Sequence, residues 1–390
     1  MQSTESARLG IDIIDYPLHM LHALQLAERA FTTTPNPRVG CVVVAAQGDN
    51  RVVGEGWHQR AGAAHAEINA LAMAGDLARG STVFVTLEPC AHHGKTPPCV
   101  DALVDAAVKT VVIATLDPFP EVSGRGVEHL EAAGIEVILL TDFEARARAV
   151  NSGYFKRFTQ GMPFVRCKLA MSLDGRTAAA NGESKWITGS EARADVQRLR
   201  AGSCAILTGV NTVLQDDPSL TVRPEELLLS ASQREDAGLS LSRQPRRVIM
   251  DSRLRTPVKA RIFKQPGATS IFTLAEESVN YPGETGVIVT APTDDSGGRV
   301  APATVLELLA SRFAVNEVLL EAGPTLSGAF VQAGLVDELV IYIGGKLLGH
   351  NGMPLMELPG LSSMADQIEL VIESVSRVGD DSRIVATFKK

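Results

Sequence analysis

The order of apolar and polar residues along the first 145 positions predicts one layered α/β domain. Segments with apolar residues at helical spacing alternate there with short, nearly continuous apolar runs. The predicted helices cover residues 17–31, 65–74, 99–107 and 126–133. The predicted strands cover residues 41–46, 51–57, 82–87, 110–115 and 135–140, of which the first two form a hairpin around a polar turn. Such an alternation is typical of a sheet covered by helices.

The pattern after residue 160 predicts a second α/β sheet. An amphipathic stretch at 142–158 links the halves, and Gly161, Met162 and Pro163 interrupt it before a new strand. The predicted strands are 164–170, 205–208, 247–250, 270–273, 286–290, 318–321 and 339–343, and the predicted helices are 190–200, 302–313 and 326–333. Residues 224–245 are polar and aperiodic, which predicts a surface excursion within the second domain. We therefore assign residues 1–160 and 161–390 to two α/β domains.

Composition supports this organisation and disfavours several classes of function. With 390 residues the chain exceeds one typical domain, and 45% hydrophobic but only 5% aromatic residues suit helix-covered sheets. The net charge of -8 disfavours binding to nucleic acid, which requires a positive surface. We find no pattern of a secretory signal or a membrane span. We expect a cytoplasmic protein that acts on a small molecule, without a membrane or nucleic-acid partner.

Three potential metal ligands and one acid lie near the starts of two predicted helices. His65 and Glu67 open the helix at 65–74, and Cys90 and Cys99 follow the strand at 82–87. One imidazole and two thiolates leave the fourth tetrahedral position of Zn²⁺ open, as in a catalytic site. Zinc lowers the pKa of a water molecule in that position, and Glu67 would carry the proton to the substrate. A His-x-Glu motif followed by Pro-Cys is typical of zinc deaminases.

Other interpretations of these residues stay open from the sequence. The three ligands could be a buried imidazole and two inert core thiols. A closed structural zinc site would need a fourth ligand, which His92 or His93 could supply. Glu67 argues against that site, because a closed zinc site needs no acid. Five cysteines are too few, and odd in number, for a disulfide framework.

The motifs PNPRVG at 35–40, HAE at 65–67 and PCAHHGKTPPC at 89–99 resemble those of the cytidine deaminase-like superfamily. Eight residues separate the two cysteines where most members have two, and this longer loop resembles the bifunctional riboflavin biosynthesis deaminase-reductase family. The resemblance implies a three-layer cytidine deaminase-like domain acting on 2,5-diamino-6-(5-phosphoribosylamino)pyrimidin-4(3H)-one. It implies substrate contacts at Asn36, His58, His92 and Lys95. Asn36 could instead be a turn former, and His58 could cap the hairpin.

The same resemblance continues through the second domain. It rests on KLAMSLDGRTA at 168–178, SKWITG at 184–189, TGVNTVLQDDPSLTVR at 208–223 and EAGPTLSGA at 321–329. It implies a dihydrofolate reductase-like domain that uses NADPH. The coenzyme contacts that it implies are Ala170, Trp186, Thr212, Asp216, Gly323, Pro324, Thr325, Leu326, Ser327, Gly328 and Ala329. The substrate contacts that it implies are Ser184, Arg200, Leu220, Arg223 and Glu321.

The chemistry of these residue types fits a reductase only in part. The run at 317–330 has the pattern of a strand, a Gly-Pro turn and a helix start, which suits phosphate, although an ordinary strand-to-helix connection has the same pattern. No GxGxxG fingerprint follows a predicted strand. Arg200 and Arg223 suit a substrate phosphate, and Asp216 or Glu321 would stabilise transient positive charge. Lys168 is a candidate for proton transfer or a solvated strand residue.

We interpret the chain as a bifunctional enzyme of riboflavin biosynthesis with one Zn²⁺ per chain and NADPH as coenzyme. It would deaminate the pyrimidine and then reduce the ribosyl group to ribityl. One alternative is a zinc-dependent nucleic-acid or nucleoside deaminase with a non-reducing second domain, which would require a basic groove to bind RNA or DNA. Another is a zinc-stabilised interaction module without catalysis, which would not need Glu67. A homo-oligomer is implied by the resemblance alone.

Overall fold

The computed structural model describes residues 14–46, 50–92, 97–276, 279–291 and 297–389. These residues form two compact units. The first unit runs to Thr159 and also includes Ala231–Ser240, and the second contains Gln160–Ser230 and the residues from Leu241 onward. Among the described residues, no helix is both long enough and apolar enough to cross a lipid bilayer.

The first unit is built on a five-stranded mixed sheet. In chain order its elements are α1 (Tyr16–Ala27), β1 (Gly40–Val44), β2 (Val52–Trp57), α2 (Ala66–Ala74), β3 (Thr82–Val85), α3 (Cys99–Asp105), β4 (Thr110–Ile113), α4 (Arg125–Ala132), β5 (Glu136–Leu139), α5 (Glu144–Val150) and α6 (Ser152–Gln160). The strand order is β2-β1-β3-β4-β5. Strand β1 is antiparallel to β2 and β3, whereas β3, β4 and β5 run parallel.

Helices cover both faces of this sheet. Because successive strand residues point to opposite faces, Val42 and Val44 of β1 pack in a cluster with residues of α1 and α5. Cys41 and Val43 pack in a second cluster with residues of α2, α3 and α4. The sheet is therefore buried on both sides, which explains why its strands read as continuous apolar runs. The result is a three-layer α/β/α unit.

The second unit is built on a nine-stranded sheet. Its elements are β6 (Phe164–Ser172), β7 (Arg176–Ala178), α7 (Ser190–Gly202), β8 (Ala205–Gly209), α8 (Val210–Asp216), β9 (Arg246–Met250), β10 (Thr269–Thr273), β11 (Thr285–Val289), α10 (Pro302–Phe313), β12 (Glu317–Leu320), α11 (Pro324–Gln332), β13 (Glu338–Gly344), β14 (Met353–Pro354), β15 (Leu370–Val378) and β16 (Asp381–Phe388). The order is β11-β10-β9-β8-β12-β6-β13-β16-β15. Neighbours from β11 to β13 are parallel, and β16 is antiparallel to β13 and β15. Strands β7 and β14 pair separately.

This sheet also has helices on both faces. Leu309 of α10 and Phe330 of α11 belong to the largest core cluster, on one face. Val196 of α7 and Val213 of α8 belong to clusters that contain the strand residues of the other face. Parallel strands joined through helices place the carboxyl ends of β6, β8 and β12 along one edge, where ligands of open α/β sheets bind.

One segment departs from its prediction. The expectation that residues 224–245 are an aperiodic surface excursion is wrong, because residues Ala231–Leu241 form a helix, α9, after a short 3₁₀-helix at Pro224–Glu226. Within the first unit, Asp236 of α9 pairs with Arg29 at 3.7 Å, and the Ser240 hydroxyl accepts a hydrogen bond from the Phe31 N–H at 3.3 Å. These long-range contacts stabilise a helix that has no apolar stripe for a sequence pattern to detect.

Several boundaries and elements were also missed. Helix α1 ends at Ala27, whereas the prediction extended it to residue 31. The linking stretch at 142–158 forms two helices, α5 and α6, with Asn151 between them. Helix α8 and strands β7, β14, β15 and β16 were not predicted. Strand β15 is exposed along nearly its whole length, and a β-bulge between Ile372 and Ser374 breaks the strict alternation on which strand prediction depends.

Candidate metal centre and reductase site

The three predicted metal ligands come together in the first unit. His65 precedes the first residue of α2, Cys90 lies in the loop after β3, and Cys99 is the first residue of α3. One donor atom from each lies within 4.8 Å of the others. The Nδ1 atom of His65 is 3.1 Å from the Cys99 Sγ and 3.6 Å from the Cys90 Sγ.

Glycine positions in β2 allow α2 to bring His65 to this centre. A Cβ atom on Gly56 would lie 2.3 Å from the carbonyl oxygen of Ala66, in the first turn of α2. A Cβ atom on Gly54 would lie 2.2 Å from the carbonyl oxygen of Ala70. Strand and helix backbones therefore approach more closely than any side chain on these two residues would permit.

The donor set fits zinc. One imidazole nitrogen and two cysteine sulfurs are the ligand types of catalytic zinc sites with an open fourth position. The Cys99 thiol, its backbone N–H and the His65 ring hydrogen bond to Cys90 and hold the pKa of Cys90 below its ordinary value. These contacts favour the thiolate, which is the form that binds metal. Among the described residues, these three form the only such cluster of metal-binding side chains.

Glu67 is buried beside the ligands, in the first turn of α2. Its side chain is only 3% exposed, and burial, reinforced by the negative charge of Cys90, raises its pKa to about 7. A nearby divalent cation favours the ionised form of such a carboxyl group. A carboxylate that can switch between its two forms near neutral pH is suited to general acid-base catalysis.

Asn36 and His58 lie together next to the metal ligands. The Nδ2 of Asn36 is 3.1 Å from the Nε2 of His58, and the Nδ1–H of His58 donates to the carbonyl oxygen of Ala64 at 3.0 Å. The His58 ring packs edge-to-face on the His65 ring, with centroids 5.1 Å apart. Burial lowers the pKa of His58 to about 4, so the ring is neutral and accepts the hydrogen bond from Asn36.

The loop between the two cysteines is described only at its ends. His92 packs edge-to-face on Phe119, with centroids 5.9 Å apart, and its buried Nδ1 atom has no partner among the described residues. A buried imidazole nitrogen without a partner is suited to bind a ligand, because leaving it unpaired costs free energy. The predictions for Lys95 and for His93 lie outside the described residues.

Two carboxyl groups that the sequence analysis missed hold the segment at 117–126, whose Phe119 packs against His92. Glu88 is buried and accepts hydrogen bonds from the N–H groups of Asp117, Gly124 and Gly126 at 3.2, 3.0 and 2.9 Å. Asp117 accepts from the Tyr154 hydroxyl at 3.0 Å. Both acids follow buried strands, β3 and β4, and that position was the one available signal in the sequence.

In the second unit, two predicted residues are bound to each other. Arg200 of α7 donates two hydrogen bonds to the Glu321 carboxylate, from Nε to Oε1 at 2.6 Å and from the second guanidinium nitrogen to Oε2 at 2.9 Å. Its remaining nitrogen donates to the carbonyl oxygen of Thr221 at 3.1 Å. Both side chains are largely buried, at 14% and 11% exposed. The geometry therefore brings Arg200 and Glu321 together as a bidentate ion pair.

Lys168 lies on β6 near this ion pair. Burial lowers the pKa of the Lys168 ammonium group, while the charge of Glu321 raises it. Burial raises the pKa of Glu321, but the charge and hydrogen bonds of Arg200 lower it. The pKa of Glu321 is therefore held below its ordinary value. Three ionisable groups thus share one partly buried region at the carboxyl end of β12, beside the middle of β6, near the edge where a ligand of an open α/β sheet would bind.

The predicted residues of α8 and of the loop after it differ in how far they are exposed to solvent. Thr212 lies within α8 and Asp216 is its last residue, exposed to solvent. Leu220 is buried with a positive φ of 48°. Arg223 is about half exposed and pairs with Glu226 at 2.9 Å.

Seven of the predicted coenzyme residues form the start of α11. Gly323 is the residue before the helix and Pro324 is its first residue. Thr325, Leu326 and Ala329 are partly or fully exposed, whereas Ser327 and Gly328 are buried. A Cβ atom on Gly328 would lie 2.0 Å from the carbonyl oxygen of Glu357, so Gly328 serves close packing.

The other predicted residues lie on β6 and the loop after β7. Ala170 of β6 is paired with Tyr342 of β13. Ser184 is partly exposed, and the Trp186 indole is 62% exposed. The Arg193 guanidinium stacks over the Trp186 ring at 4.5 Å.

The strand edge fits a nicotinamide coenzyme. The hydroxyl of Thr208, at the end of β8, is fully buried and has no hydrogen-bond partner among the described residues. Gly323 follows β12, which is the neighbour of β8 in the sheet. Because it is a glycine, no side chain at this position covers the start of α11. The first N–H groups of a helix lack intrahelical acceptors and suit a diphosphate.

Comparison with known proteins identifies the class of this molecule. Residues 15–115 match the model of the cytidine and deoxycytidylate deaminase zinc-binding region, and residues 163–383 match that of the RibD C-terminal domain. A solved structure of RibD from Acinetobacter baumannii superposes with a TM-score of 0.84 at 41% identity, covering 96% of this chain and 99% of that one. The fold and the site thus define a two-domain protein with a zinc-binding deaminase half and a reductase half.

The particular family follows from relatives that match over almost the full length. The riboflavin biosynthesis protein RibD of Escherichia coli strain K12 is 48% identical over 367 residues, which cover 93% of this chain and 96% of that protein. The RibD of Haemophilus influenzae is 44% identical over 95% of this chain and 96% of that protein. The chain belongs to the RibD family. The expected family, its fold class, and a deaminase combined with a reductase are confirmed.

A further solved structure belongs to a protein that is described as having both activities. The Thermotoga maritima protein described as a diaminohydroxyphosphoribosylaminopyrimidine deaminase and 5-amino-6-(5-phosphoribosylamino)uracil reductase superposes with a TM-score of 0.81 at 33% identity. The superposition covers 96% of this chain and 99% of the Thermotoga maritima protein. The alternative of a nucleic-acid or nucleoside deaminase with a non-reducing second domain is not supported.

Proposed function

We propose that this chain deaminates 2,5-diamino-6-(5-phosphoribosylamino)pyrimidin-4(3H)-one and then reduces the ribosyl group of the product to ribityl with NADPH. The observation that carries the proposal is the cluster of His65, Cys90 and Cys99 beside buried Glu67, in a chain that also has a RibD C-terminal domain. The Thermotoga maritima relative supports this choice of substrate. Residues 1–160 would form the deaminase domain and residues 161–390 the reductase domain.

In the deaminase half, His65, Cys90 and Cys99 would hold one Zn²⁺ per chain. When bound, zinc supplies a water molecule with a pKa near 7. Glu67 accepts a proton from the attacking water and delivers it to the amino group, which leaves as ammonia. Because Glu67 is buried, it keeps the proton away from bulk solvent during this transfer.

Asn36, His58, His92 and Lys95 would bind the substrate of the first reaction. The neutral His58 ring is fixed by Ala64, and its bond orients the Asn36 amide. The unpaired Nδ1 of His92 offers a further polar contact beside the Phe119 ring. Such a combination of fixed polar groups and an aromatic wall suits a planar pyrimidine.

In the reductase half, bound NADPH supplies a hydride. Its contacts would be Ala170, Trp186, Thr212, Asp216 and the residues of the α11 start, from Gly323 to Ala329. Substrate would be bound by Ser184, Arg200, Leu220, Arg223 and Glu321. Arg223 is the more accessible of the two arginines and suits the phosphate, whereas the Arg200–Glu321 pair presents a fixed carboxylate to positive charge on the ribose.

Lys168 is our candidate for the proton transfer that opens the ribose ring. Burial lowers its pKa, so the Lys168 ammonium group loses its proton more readily than that of an exposed lysine.

We also place the enzyme in the cytoplasm, as a homo-oligomer that acts on a small molecule and does not bind nucleic acid or membrane.

The test is to incubate the purified, zinc-loaded protein with the diamino substrate, with and without NADPH, and to identify the products by mass spectrometry. Without NADPH we expect one amino group replaced by oxygen, with release of ammonia. With NADPH we expect two further hydrogens on that product. Absence of ammonia release from the zinc-loaded protein would overturn the proposed deamination, and comparable rates with NADH and NADPH would overturn the proposed coenzyme.

A further inference from the structure

Arg176 belongs to the motif KLAMSLDGRTA at 168–178 but is not among the residues assigned to either proposed reaction. It is the first residue of β7 and is partly buried. Its Nε atom is buried, and in the described part of the chain the guanidinium group makes no hydrogen bond or ion pair. Because a buried donor without an acceptor is costly, this guanidinium group is suited to bind an anion.

The turn before β7 fixes the position of Arg176 and occupies the neighbouring acid. The Arg176 N–H donates to the hydroxyl of Ser172, the last residue of β6, at 3.0 Å. The carboxylate of Asp174 accepts from the N–H groups of Leu348 and Gly349 at 3.0 and 2.7 Å. Hydrogen bonds from the Ser172 hydroxyl and from these N–H groups lower the pKa of Asp174 to about 2. Asp174 is therefore engaged with its own partners and does not neutralise Arg176.

Strand β14 connects Arg176 to the start of α11. Arg176 is opposite Pro354 in the pair of β7 and β14. A Cβ atom on Gly352 would lie 3.0 Å from the Cγ of Arg176, so the arginine stem packs on the backbone just before β14. Three residues after Pro354, the Glu357 N–H donates to the carbonyl oxygen of Pro324, the first residue of α11, at 3.2 Å. Arg176 therefore lies on a ribbon that is fixed to the start of α11, where we place the coenzyme.

Another proposed coenzyme contact, Trp186, is held beside the same turn. Ser172 is opposite Gly344 at the carboxyl ends of β6 and β13. A Cβ atom on Gly344 would lie 2.3 Å from the carbonyl oxygen of Ile187, the residue after Trp186. The Lys346 ammonium group, just beyond β13, donates to the carbonyl oxygen of Trp186. The turn after β6 and Trp186 thus share one edge of the sheet, the edge at which α11 begins.

The chemistry of the site selects a diphosphate as the anion. A guanidinium group is planar, permanently charged and matched to the oxygens of a phosphate. The start of α11 favours the same kind of anion, but a helix dipole supplies only roughly half an elementary charge. A diphosphate bound there still needs a cation, and Arg176 is fixed to that helix start by β14. The substrate phosphate, in contrast, already has Arg223 as its proposed contact.

We propose that Arg176 binds the diphosphate of the nicotinamide coenzyme, together with the start of α11. This inference rests on the proposed reductase function and adds a cationic residue to its coenzyme site. Because NADPH and NADH have the same diphosphate, Arg176 contributes to the affinity for both coenzymes and not to the choice between them.

The experiment measures the binding of NADPH and of NADH to the zinc-loaded full chain by the fluorescence of the reduced nicotinamide. Arg176→Met keeps a long side chain against Gly352 but removes the donors, so the dissociation constants of both coenzymes should rise about tenfold or more. Arg176→Lys keeps the charge and should lose less affinity. The matched control, Arg312→Met, removes an exposed arginine of α10 at the opposite edge of the sheet and should change both constants by less than about twofold.

Thermal unfolding without coenzyme shows whether Arg176 only supports the fold. Because its buried Nε atom has no acceptor there, Arg176→Met should unfold at the wild-type temperature or above it. A lower unfolding temperature combined with unchanged coenzyme binding would show a structural role and overturn the proposal.

The coenzyme titrations distinguish the other outcomes. A loss of affinity confined to NADPH would place Arg176 at the 2′-phosphate, and a rise only in the KM of pre-deaminated substrate would place it at the substrate phosphate. Either result would overturn the assignment to the diphosphate. A wild-type protein that binds neither coenzyme would overturn the proposed reductase function itself, which is a separate signal from a wild type that binds both and an Arg176→Met variant that binds them equally well.

Discussion

At the scale of single residues, the metal centre combines donors and an acid that are far apart in sequence. His65 and Glu67 come from α2, and Cys90 and Cys99 from the loop and helix that follow β3. Each side chain sits at the start of a helix or just after a strand, where the backbone direction is fixed by the sheet. The centre is therefore held by rigid elements, which is what a site needs to orient a reacting water.

Glu67→Gln tests the proton carrier. The amide keeps the shape of the side chain but cannot cycle a proton, so kcat for deamination should fall about 100-fold or more. Zinc content should stay at the wild-type level because Glu67 is not one of the three ligands. Metal analysis and ammonia release measured on the same sample check both statements. Wild-type ammonia release from this variant would contradict the assigned role.

Arg200→Met tests the ion pair in the second unit. Removing the arginine leaves the Glu321 carboxylate buried and unpaired, which should lower the free energy of unfolding by about 3 kcal/mol. The control Arg223→Met removes a half-exposed pair with Glu226 and should cost less than about 1 kcal/mol. Calorimetric unfolding of the three proteins measures the difference.

A double variant separates charge burial from lost packing. Arg200→Met combined with Glu321→Gln removes the unpaired charge and should recover part of the lost stability. Equal losses for Arg200→Met and Arg223→Met would show that the Arg200–Glu321 pair is not buried in solution.

At the scale of elements, the metal centre depends on the contact between β2 and α2. Gly56→Ala would place a Cβ atom 2.3 Å from the carbonyl oxygen of Ala66, so α2 must move away. We expect a loss of stability of about 2 kcal/mol and weaker zinc binding, because His65 moves with the helix. The control is Gly286→Ala on β11, where a Cβ atom would meet nothing within 4 Å.

Thermal unfolding and a competitive zinc titration measure both effects of these glycine substitutions. Gly286→Ala should match the wild type in zinc affinity and unfold at nearly the same temperature. If Gly56→Ala also retains wild-type zinc affinity, α2 does not need this close approach to position its ligand.

At the scale of the whole molecule, the two proposed chemistries use separate residues. Cys99→Ala removes one of three zinc ligands, so the protein should lose most of its zinc and its ammonia release. Reduction of pre-deaminated substrate with NADPH should continue at a rate within about twofold of the wild type, since Lys168, Arg223 and the α11 start take no part in the metal centre. Zinc analysis and NADPH consumption check the two halves. Loss of reduction in a folded Cys99→Ala protein would contradict the separation.

The sequence by itself determined the features that depend on neighbouring residues. Continuous apolar runs located most strands of both sheets, because strands covered on both faces need apolar residues at every position. The spacing of His65, Glu67, Cys90 and Cys99 indicated a zinc deaminase, because those residue types are the ligands and acid that the chemistry requires. The family and its two activities followed from the motifs around them.

Only the tertiary structure decided the features that join distant parts of the chain. The sequence could not show that Arg200 and Glu321 bind each other across 121 positions, or that Asp117 accepts from Tyr154. It gave no sign that residues 231–240 form a helix that packs with the first unit. The β-bulge at Glu373, which puts Val375 on the same face of β15 as Leu370 and Ile372, is likewise visible only in the strand register. These features depend on packing between elements, whereas periodicity and motif spacing report only on a few consecutive residues.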